Sequence, residues 1–138
     1  MAAEVFDEAG LAAWGAAFAT RLRPPVVIGL SGELGTGKTT LVRAIAAALG
    51  VAAPVTSPTF ALVHRYDGAA CVVYHLDAYR LRRPEEAIDL GLDDMLREDR
   101  AVILIEWPER LGASLPPLTH HVHLAYSGDD SLRALEVS

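Results

Sequence analysis

The chain contains few cations and little sulfur, and these shortages exclude several classes of protein. Its 138 residues include one cysteine, one lysine and no asparagine, and the formal net charge is -6 at pH 7. The cysteine, Cys71, lies inside an apolar run, where we expect a buried structural thiol and no metal ligand or nucleophile. The negative charge opposes unaided binding to a nucleic-acid backbone, because affinity there comes from cationic side chains that release counterions. If the function involves nucleic acid, we expect a partner protein to bind it.

Long apolar runs are also missing. No stretch of about 18 or more apolar residues occurs, and the N-terminus lacks the basic start and apolar core of a signal peptide. These absences predict a cytoplasmic protein with no membrane association. The chain does have 51% hydrophobic residues, which is enough for the core of one compact α/β domain over residues 1–138.

Hydrophobic periodicity and turn residues predict how that domain is built. After a first helix, the elements follow the order β-α-β-β-α-β, which favours a central mixed sheet, partly parallel, flanked by helices. The dipeptide Asp67-Gly68 is suited to positive φ and predicts the turn of a hairpin. The predicted helices span residues 8–22, 38–49 and 84–96, and the predicted strands span residues 26–30, 60–66, 71–76, 101–105, 122–126 and 132–137.

A glycine-rich motif follows the first predicted strand. Residues 31–40 read S-G-E-L-G-T-G-K-T-T, and Gly32 to Thr39 match the phosphate-loop pattern G-x-x-x-x-G-K-[ST] at every defined position. In that motif, glycines let backbone N–H groups wrap a β-phosphate, Lys38 reaches the β/γ oxygens, and the Thr39 hydroxyl can bind Mg²⁺. The helix that follows adds its positive N-terminal dipole. The one lysine of the chain thus stands where a nucleoside triphosphate needs a point charge.

The sequence also limits which nucleotide the loop is expected to bind and which acidic residues are expected to act with it. Guanine-specific proteins with a phosphate loop read their base with an Asn-Lys-x-Asp segment. This chain contains no asparagine and therefore lacks that segment, so ATP is the expected nucleotide. Asp77 and Glu106 each end an apolar run, and open α/β sheets gather their sites at the carboxyl ends of strands. Either acid can hold the water shell of the metal or align the attacking water, and a solvated acid at a strand end is the alternative for each. The predicted fold class is a single P-loop NTPase-like domain.

Four linked motifs then give the chain a family resemblance. Together they resemble the TsaE (formerly YjeE) family of small bacterial ATPases, over a span from about Glu4 to Tyr126. The resemblance implies an ATPase that uses ATP and Mg²⁺, and that acts with the partners TsaB and TsaD in making N6-threonylcarbamoyladenosine in tRNA. The tRNA would be met indirectly, through the complex. The motifs are G-E-L-G-T-G-K-T-T, S-P-T-F at 57–60, H-L-D-A-Y-R-L at 75–81 and I-E-W-P-E at 105–109.

The resemblance also implies roles for individual residues. Asp77 would be the acid needed for hydrolysis, with Lys38 as the second catalytic residue, and Glu106 would share the Mg²⁺ side with Thr39. Trp107 would lie near the nucleotide or the partner surface, and Glu8 would lie near the adenine. The residues implied to cradle the phosphates are Gly35, Thr36, Gly37, Lys38, Thr39 and Thr40, and those implied to form a switch-like loop facing the γ-phosphate are Ser57, Pro58 and Thr59.

For several side chains the sequence allows two interpretations. The 57–59 segment is either a switch or an ordinary turn, and Trp107 either packs in the core or has a functional role. His75 alternates with Asp77 and could face the same edge, although a core histidine is the alternative. Contacts of Gly128, Asp130 and Arg133 with nucleotide are left open. Arg80, Arg82 and Arg83 could dock a phosphate or an acidic partner, or be solvated, and His120, His121 and His123 are expected to be solvated histidines without a metal.

Two other functions compete with an energy-coupling ATPase. A small-metabolite kinase would use residues 80–84 as an arginine-bearing lid over a phosphoryl acceptor. A nucleotide-gated binding module would use ATP only to order a docking surface. Because no arginine is evidently placed to act in cis, hydrolysis by the isolated chain is expected to be slow and to depend on a partner.

Overall fold

The computed structural model describes residues 3–55 and 62–138, apart from the side chains of residues 129 and 130. The switch-like segment predicted at Ser57, Pro58 and Thr59 therefore lies outside the described residues. Within the described part, two short 3₁₀ segments, Ala78–Arg80 and Pro108–Ser114, follow strands. The helices are α1 (Glu8–Ala19), α2 (Lys38–Ala48), α3 (Glu86–Asp89) and α4 (Leu92–Leu96), and the strands are β1 (Glu4–Phe6), β2 (Val26–Ser31), β3 (Val63–Asp67), β4 (Val72–Asp77), β5 (Ala101–Glu106), β6 (His120–Ser127) and β7 (Asp129–Val137).

The strands of the described chain form one seven-stranded sheet in the order β1-β7-β6-β2-β5-β4-β3. At its centre, β2 runs parallel to both β5 and β6, and β4 runs parallel to β5. Strands β1, β3 and β7 pair antiparallel with their neighbours. The predicted mixed, partly parallel sheet flanked by helices is confirmed. Because β2, β4 and β5 point the same way, their carboxyl ends meet at one edge of the sheet.

Both faces of the central strands are covered, which explains why β2 and β5 are apolar at nearly every position. All six residues of each strand are buried. On one face, Ile28 and Leu30 pack in a cluster with residues of α1 and α2. On the other face, Ile103 and Ile105 pack with residues of α4 and of the segment Pro108–Ser114.

Helix α1 begins at a side-chain cap and buries one face. The Asp7 carboxylate accepts a hydrogen bond of 2.7 Å from the Gly10 N–H, which satisfies one of the open donors at the helix start. The buried face includes Gly15, where a Cβ would come within 2.9 Å of Leu41 Cδ1 on α2. The helix ends at Ala19, before the predicted end at residue 22, because the next three N–H groups bond carbonyls only three residues back.

The single helix predicted at residues 84–96 is wrong. Two shorter helices, α3 and α4, occupy this part of the chain, and Gly91 separates them. Gly91 has φ 89°, a left-handed conformation that ends a helix and that side chains with a Cβ rarely adopt. The glycine therefore outweighs the helical periodicity around it.

The predicted hairpin forms between β3 and β4, but the reason given for its turn is wrong. Gly68 does not have positive φ. Its N–H donates to the Cys71 carbonyl at 2.9 Å, and a Cβ would lie 2.7 Å from the Leu49 carbonyl oxygen. Close approach to the end of α2, rather than φ, requires glycine here. Cys71 is buried, as predicted.

The remaining differences concern strand lengths. Strands β6 and β7 each extend beyond the predicted ranges 122–126 and 132–137, and β1, three residues long, has no predicted counterpart. No helix in the described residues is long and apolar enough to cross a membrane.

The cap of α1 gives a stability prediction. Replacing Asp7 by alanine removes the acceptor for the Gly10 N–H and should lower the free energy of unfolding by about 1 kcal/mol, measured by urea denaturation. Asp7→Asn is the matched control, because its amide oxygen can accept the same bond and should keep most of the stability. Equal losses in the two variants would mean that the cap does not stabilise α1.

Candidate functional site

The glycine-rich loop leaves β2 at the edge where the parallel strands end, and its glycines are required by close contacts. Gly32, Gly35 and Gly37 have φ values of 154°, 79° and 102°. A Cβ on Gly32 would lie 2.6 Å from the Leu124 carbonyl oxygen, and one on Gly37 would lie 2.8 Å from Leu11 Cδ2. Side chains are therefore excluded at these three positions, which keeps the backbone there open to a ligand such as phosphate.

The hairpin of β6 and β7 holds the outer side of this loop. The Tyr126 hydroxyl donates to the Leu34 carbonyl at 2.9 Å, and Arg133 Nη2 donates to the Gly35 carbonyl at 3.1 Å. The Arg133 guanidinium also lies 4.5 Å from the centre of the Tyr126 ring. Sequence reasoning gave Tyr126 no role and left Arg133 open, because the pairing of this hairpin with the loop spans more than ninety positions of the chain.

Lys38, the first residue of α2, is buried although it carries the only ammonium side chain of the protein. Its Nζ donates to the carbonyls of Gly32 at 2.6 Å and Glu33 at 2.9 Å, and lies 4.5 Å from the centre of the Trp107 ring. Burial lowers the pKa of Lys38, and the negative charges of Glu106 and Asp77 partly oppose that shift. The buried cation therefore has neutral hydrogen-bond partners in the loop, and none of the ion pairs among the described residues includes it, which suits it to an entering anion.

The two strand-end carboxylates converge as the sequence predicts. Asp77 of β4 lies opposite Glu106 of β5, and Glu106 in turn lies opposite Leu30 of β2, directly before the loop. The Asp77 carboxylate accepts the Tyr79 N–H at 3.0 Å. Burial raises the pKa of Asp77 most, the charge of Glu106 adds to the increase, and the Tyr79 hydrogen bond opposes it.

Two cavities flank the loop and share Gly35, Gly37 and Thr40 in their walls. The smaller, of about 410 Å³, lies on the side of the acids and is lined by Leu34, Lys38, Thr39, Asp77, Tyr79, Arg80, Glu106 and Trp107 in addition to the shared residues. The larger, of about 780 Å³, lies beside α1 and is lined also by Asp7, Glu8, Ala9, Leu11, Ala12, Thr36, Ser131 and Arg133. The predicted catalytic, phosphate-binding, adenine-side and metal residues line one or both cavities, whereas Ser57, Pro58 and Thr59 lie outside the described residues.

Trp107 forms part of the wall of the smaller cavity. It has φ 59° and ψ 53°, a conformation uncommon for residues other than glycine, and its N–H donates to the Leu30 carbonyl at 3.0 Å. Its ring lies 4.9 Å from that of Tyr79. The half-buried ring is therefore placed against Lys38 by a strained backbone, a feature that clusters at functional sites.

Arg80 is the residue that sequence reasoning placed least well. The sequence groups it with Arg82 and Arg83 as a basic cluster that could dock a phosphate or an acidic partner, and it indicates no arginine that acts in cis. Arg80 lines the smaller cavity together with Asp77, because the 3₁₀ segment Ala78–Arg80 turns back at the end of β4. The spacing Asp-x-x-Arg after an apolar strand is the signal that could have identified it.

The histidines divide into two groups. His75 is fully buried, and its Nε2 lies 2.5 Å from Glu106 Oε2, so it belongs to both the core and the edge of the site. His121 is half-buried, lies 2.7 Å from Ser31 Oγ and packs its ring against that of His123, so the expectation of a solvated side chain is wrong for His121. Burial lowers the pKa of His121. No group of three or more metal-binding side chains occurs in the described residues.

The oxygen atoms at the smaller cavity fit Mg²⁺ held jointly with a nucleotide. Mg²⁺ prefers hard oxygen ligands, and it is usually bound by one or two carboxylates plus phosphates and water rather than by a cage of side chains. The Thr39 hydroxyl and the carboxylates of Glu106 and Asp77 line the same cavity as the phosphate-loop lysine. This donor set suits the metal that accompanies nucleoside triphosphates.

A mixed sheet with a glycine-rich loop between β2 and α2, and with acids at the ends of adjacent parallel strands, defines a P-loop NTPase-like protein. Comparison with known proteins gives the family. The family described as "Threonylcarbamoyl adenosine biosynthesis protein TsaE" matches residues 5–135. The chain belongs to the TsaE family.

Relatives and a solved structure agree with this assignment. The chain is 37% identical over 115 residues to the tRNA threonylcarbamoyladenosine biosynthesis protein TsaE of Bacillus subtilis (83% of this chain, 69% of the relative). It is 39% identical over 104 residues to the protein of the same name from Haemophilus influenzae (75% of this chain, 65% of the relative). The chain thus spans about two thirds of the length of these relatives. The crystal structure of Bacillus subtilis YdiB superimposes with a TM-score of 0.74 at 26% identity, over 98% of this chain and 85% of that one.

The raised pKa of Asp77 predicts a pH-dependent stability. Ionising Asp77 is less favourable in the folded protein than in the unfolded chain, so its contribution to stability is full in acid and is lost as the pH rises through the raised pKa. Asp77→Asn, which can still accept the Tyr79 N–H, should therefore raise the free energy of unfolding at neutral pH. The gain should shrink as the pH falls, measured by urea denaturation without nucleotide across the acid range in which the protein stays folded. A gain that is independent of pH would contradict this origin.

Proposed function

We propose that the protein binds ATP with Mg²⁺ at the loop edge of the sheet and hydrolyses it, in support of tRNA N6-threonylcarbamoyladenosine synthesis with TsaB and TsaD. The observation that carries the proposal is the convergence of Lys38, Thr39, Asp77 and Glu106 on one cavity of about 410 Å³ beside a glycine-lined loop. The family and the names of the relatives support the pathway.

The arrangement supports a division of the nucleotide between the two cavities. The phosphates would lie against the loop and the N-terminus of α2, where backbone N–H groups and the helix dipole favour negative charge. Lys38 would exchange its carbonyl partners, Gly32 and Glu33, for phosphate oxygens. The base and ribose would extend into the larger cavity beside α1, where Glu8 and Arg133 lie.

The two acids would then have separate tasks. Glu106 and Thr39 would hold Mg²⁺, which when bound neutralises developing charge on the phosphate oxygens. Asp77, on the neighbouring strand and facing the same cavity, would orient the attacking water and accept its proton. Its raised pKa favours this task, because a base works best when its pKa approaches the working pH.

Partner dependence follows from the charge of the chain and from the pathway. A net charge of -6 opposes direct tRNA binding, so TsaB and TsaD would carry the tRNA. Slow turnover by the isolated chain remains our expectation. Arg80 lines the catalytic side of the site, and a partner that orients it toward the γ-phosphate would accelerate hydrolysis.

Two variants distinguish the loss of ATP binding from the loss of ATP hydrolysis. Lys38→Ala removes the cation that meets the phosphates and should weaken ATP binding by about 10- to 100-fold. Asp77→Asn should bind ATP nearly as the wild type does and lose about 100-fold or more of its turnover. Calorimetric titration and phosphate release measure the two quantities.

Asp67→Asn is the matched control for Asp77→Asn, because Asp67 ends the partner strand at the opposite end of the same hairpin and is exposed. It should leave both quantities unchanged. Equal loss of ATP binding in Asp77→Asn and Lys38→Ala would remove Asp77 from the chemical step.

The partners supply the test of the pathway. Phosphate release should rise strongly when TsaB, TsaD and tRNA are added to the wild-type chain, and should stay absent in Asp77→Asn. A rate of phosphate release that does not change when the partners are added would contradict a role in this pathway. Phosphate transferred to a metabolite would favour the kinase, and binding without turnover under every condition would favour the nucleotide-gated module.

A further inference from the structure

His75 lies directly beneath the two acids of the site. It precedes Asp77 by two residues on β4, so the two side chains project from the same face of the strand. In the register of β4 with β5, His75 lies opposite Leu104 and Asp77 lies opposite Glu106. His75 is thus a diagonal neighbour of Glu106 across the parallel pair, within reach of its carboxylate.

The contact between His75 and Glu106 is short and excluded from water. His75 Nε2 lies 2.5 Å from Glu106 Oε2, and the two residues are 0% and 4% exposed. A carboxylate only accepts hydrogen bonds, so the imidazole donates from Nε2. One of the two carboxylate oxygens is therefore fixed, and this restricts rotation of the group that lines the cavity with Thr39.

The other ring nitrogen of His75, Nδ1, has no polar contact among residues 3–55 and 62–138. Among the buried side-chain nitrogen and oxygen atoms of the described residues, His75 Nδ1 is the one without a hydrogen-bond partner. An unpaired buried nitrogen is unfavourable, and an apolar side chain at this position would avoid it. Within the described residues, the bond to Glu106 is the polar contact that accounts for a histidine here.

We propose that His75 is a positioning residue that holds the Glu106 carboxylate in the orientation needed to bind the divalent cation of the nucleotide complex. The inference rests on the proposed function, since it assigns Glu106 to the metal. Side chains that hydrogen-bond a metal ligand fix its orientation, and their loss typically weakens metal binding by about 10- to 100-fold. His75 would act through Glu106 and would touch neither nucleotide nor metal.

The test compares nucleotide affinity with and without the metal. The dissociation constant of a non-hydrolysable ATP analogue is measured in excess Mg²⁺ and in EDTA, and the ratio of the two values gives the Mg²⁺-dependent gain. His75→Leu should reduce this gain about tenfold and leave the affinity in EDTA unchanged. His75→Gln should retain most of the gain, because its amide N–H can donate to the same oxygen.

Two further variants separate positioning from packing. His120→Leu replaces a half-buried histidine that packs edge-on against Phe18, and it should leave the gain unchanged. Glu106→Gln should lose the gain as His75→Leu does, and the double variant should lose little more, since the two residues act as one unit.

The possible results distinguish a failure of the inference on His75 from a failure of the proposed function. If His75→Leu keeps the full gain, or loses affinity equally in Mg²⁺ and in EDTA, His75 has only a packing role and the inference is wrong. If the wild type itself binds no nucleotide or shows no gain with Mg²⁺, the proposed function fails and the inference fails with it.

The wild-type protein gives a measurement that does not depend on the folding of a variant. The proton on His75 Nε2, which is hydrogen-bonded to a buried carboxylate, should give a deshielded NMR signal. That signal should shift when Mg²⁺ is added to the complex with the analogue. A signal that stays unmoved while Mg²⁺ tightens nucleotide binding would overturn the inference.

Discussion

The parallel pairing of β2 with β5, and of β5 with β4, is the constraint on which the site depends. It brings the loop after Ser31, the carboxylate of Glu106 and that of Asp77 to one edge, although these residues are far apart in the chain. Side chains alternate between faces along a strand, so a slip of one residue in β5 would turn Glu106 away from the cavity. Because β2 and β5 are buried throughout, this register is fixed by packing on both faces.

The site combines buried charges with a backbone that excludes side chains. Burial opposes ionisation of both Lys38 and Asp77, which lowers one pKa and raises the other. Such groups do little for the stability of the empty fold and are typical of functional sites. The glycines of the loop add a second constraint, since the Leu124 carbonyl oxygen and Leu11 leave no room for a Cβ. Together these features suit a ligand whose anionic groups meet Lys38 and the loop backbone.

The sequence predicts the sheet class, the loop and the two acids well, because each depends on local signals: apolar runs, a spaced glycine motif and a carboxylate at a strand end. It predicts poorly what depends on distant contacts. The split of residues 84–96 at Gly91 and the close approach that requires Gly68 are decided by tertiary structure. The positions of Arg80 and Tyr126 beside the loop likewise follow from how the chain turns after β4 and from the pairing of β6 with β7. The four motifs indicate the family. The pathway is indicated by the family and by the names of the relatives, and not by the chemistry of any single residue.

We propose that one ATP molecule spans the two cavities on either side of the phosphate loop. A crystal structure of the chain with a non-hydrolysable ATP analogue and Mg²⁺ tests it most directly. We expect phosphates within the loop, with Lys38 Nζ moved from the carbonyls of Gly32 and Glu33 to phosphate oxygens. We also expect Asp77 facing the terminal phosphate and the base beside α1. A nucleotide bound elsewhere, or a Lys38 that keeps its carbonyl partners, would contradict the account.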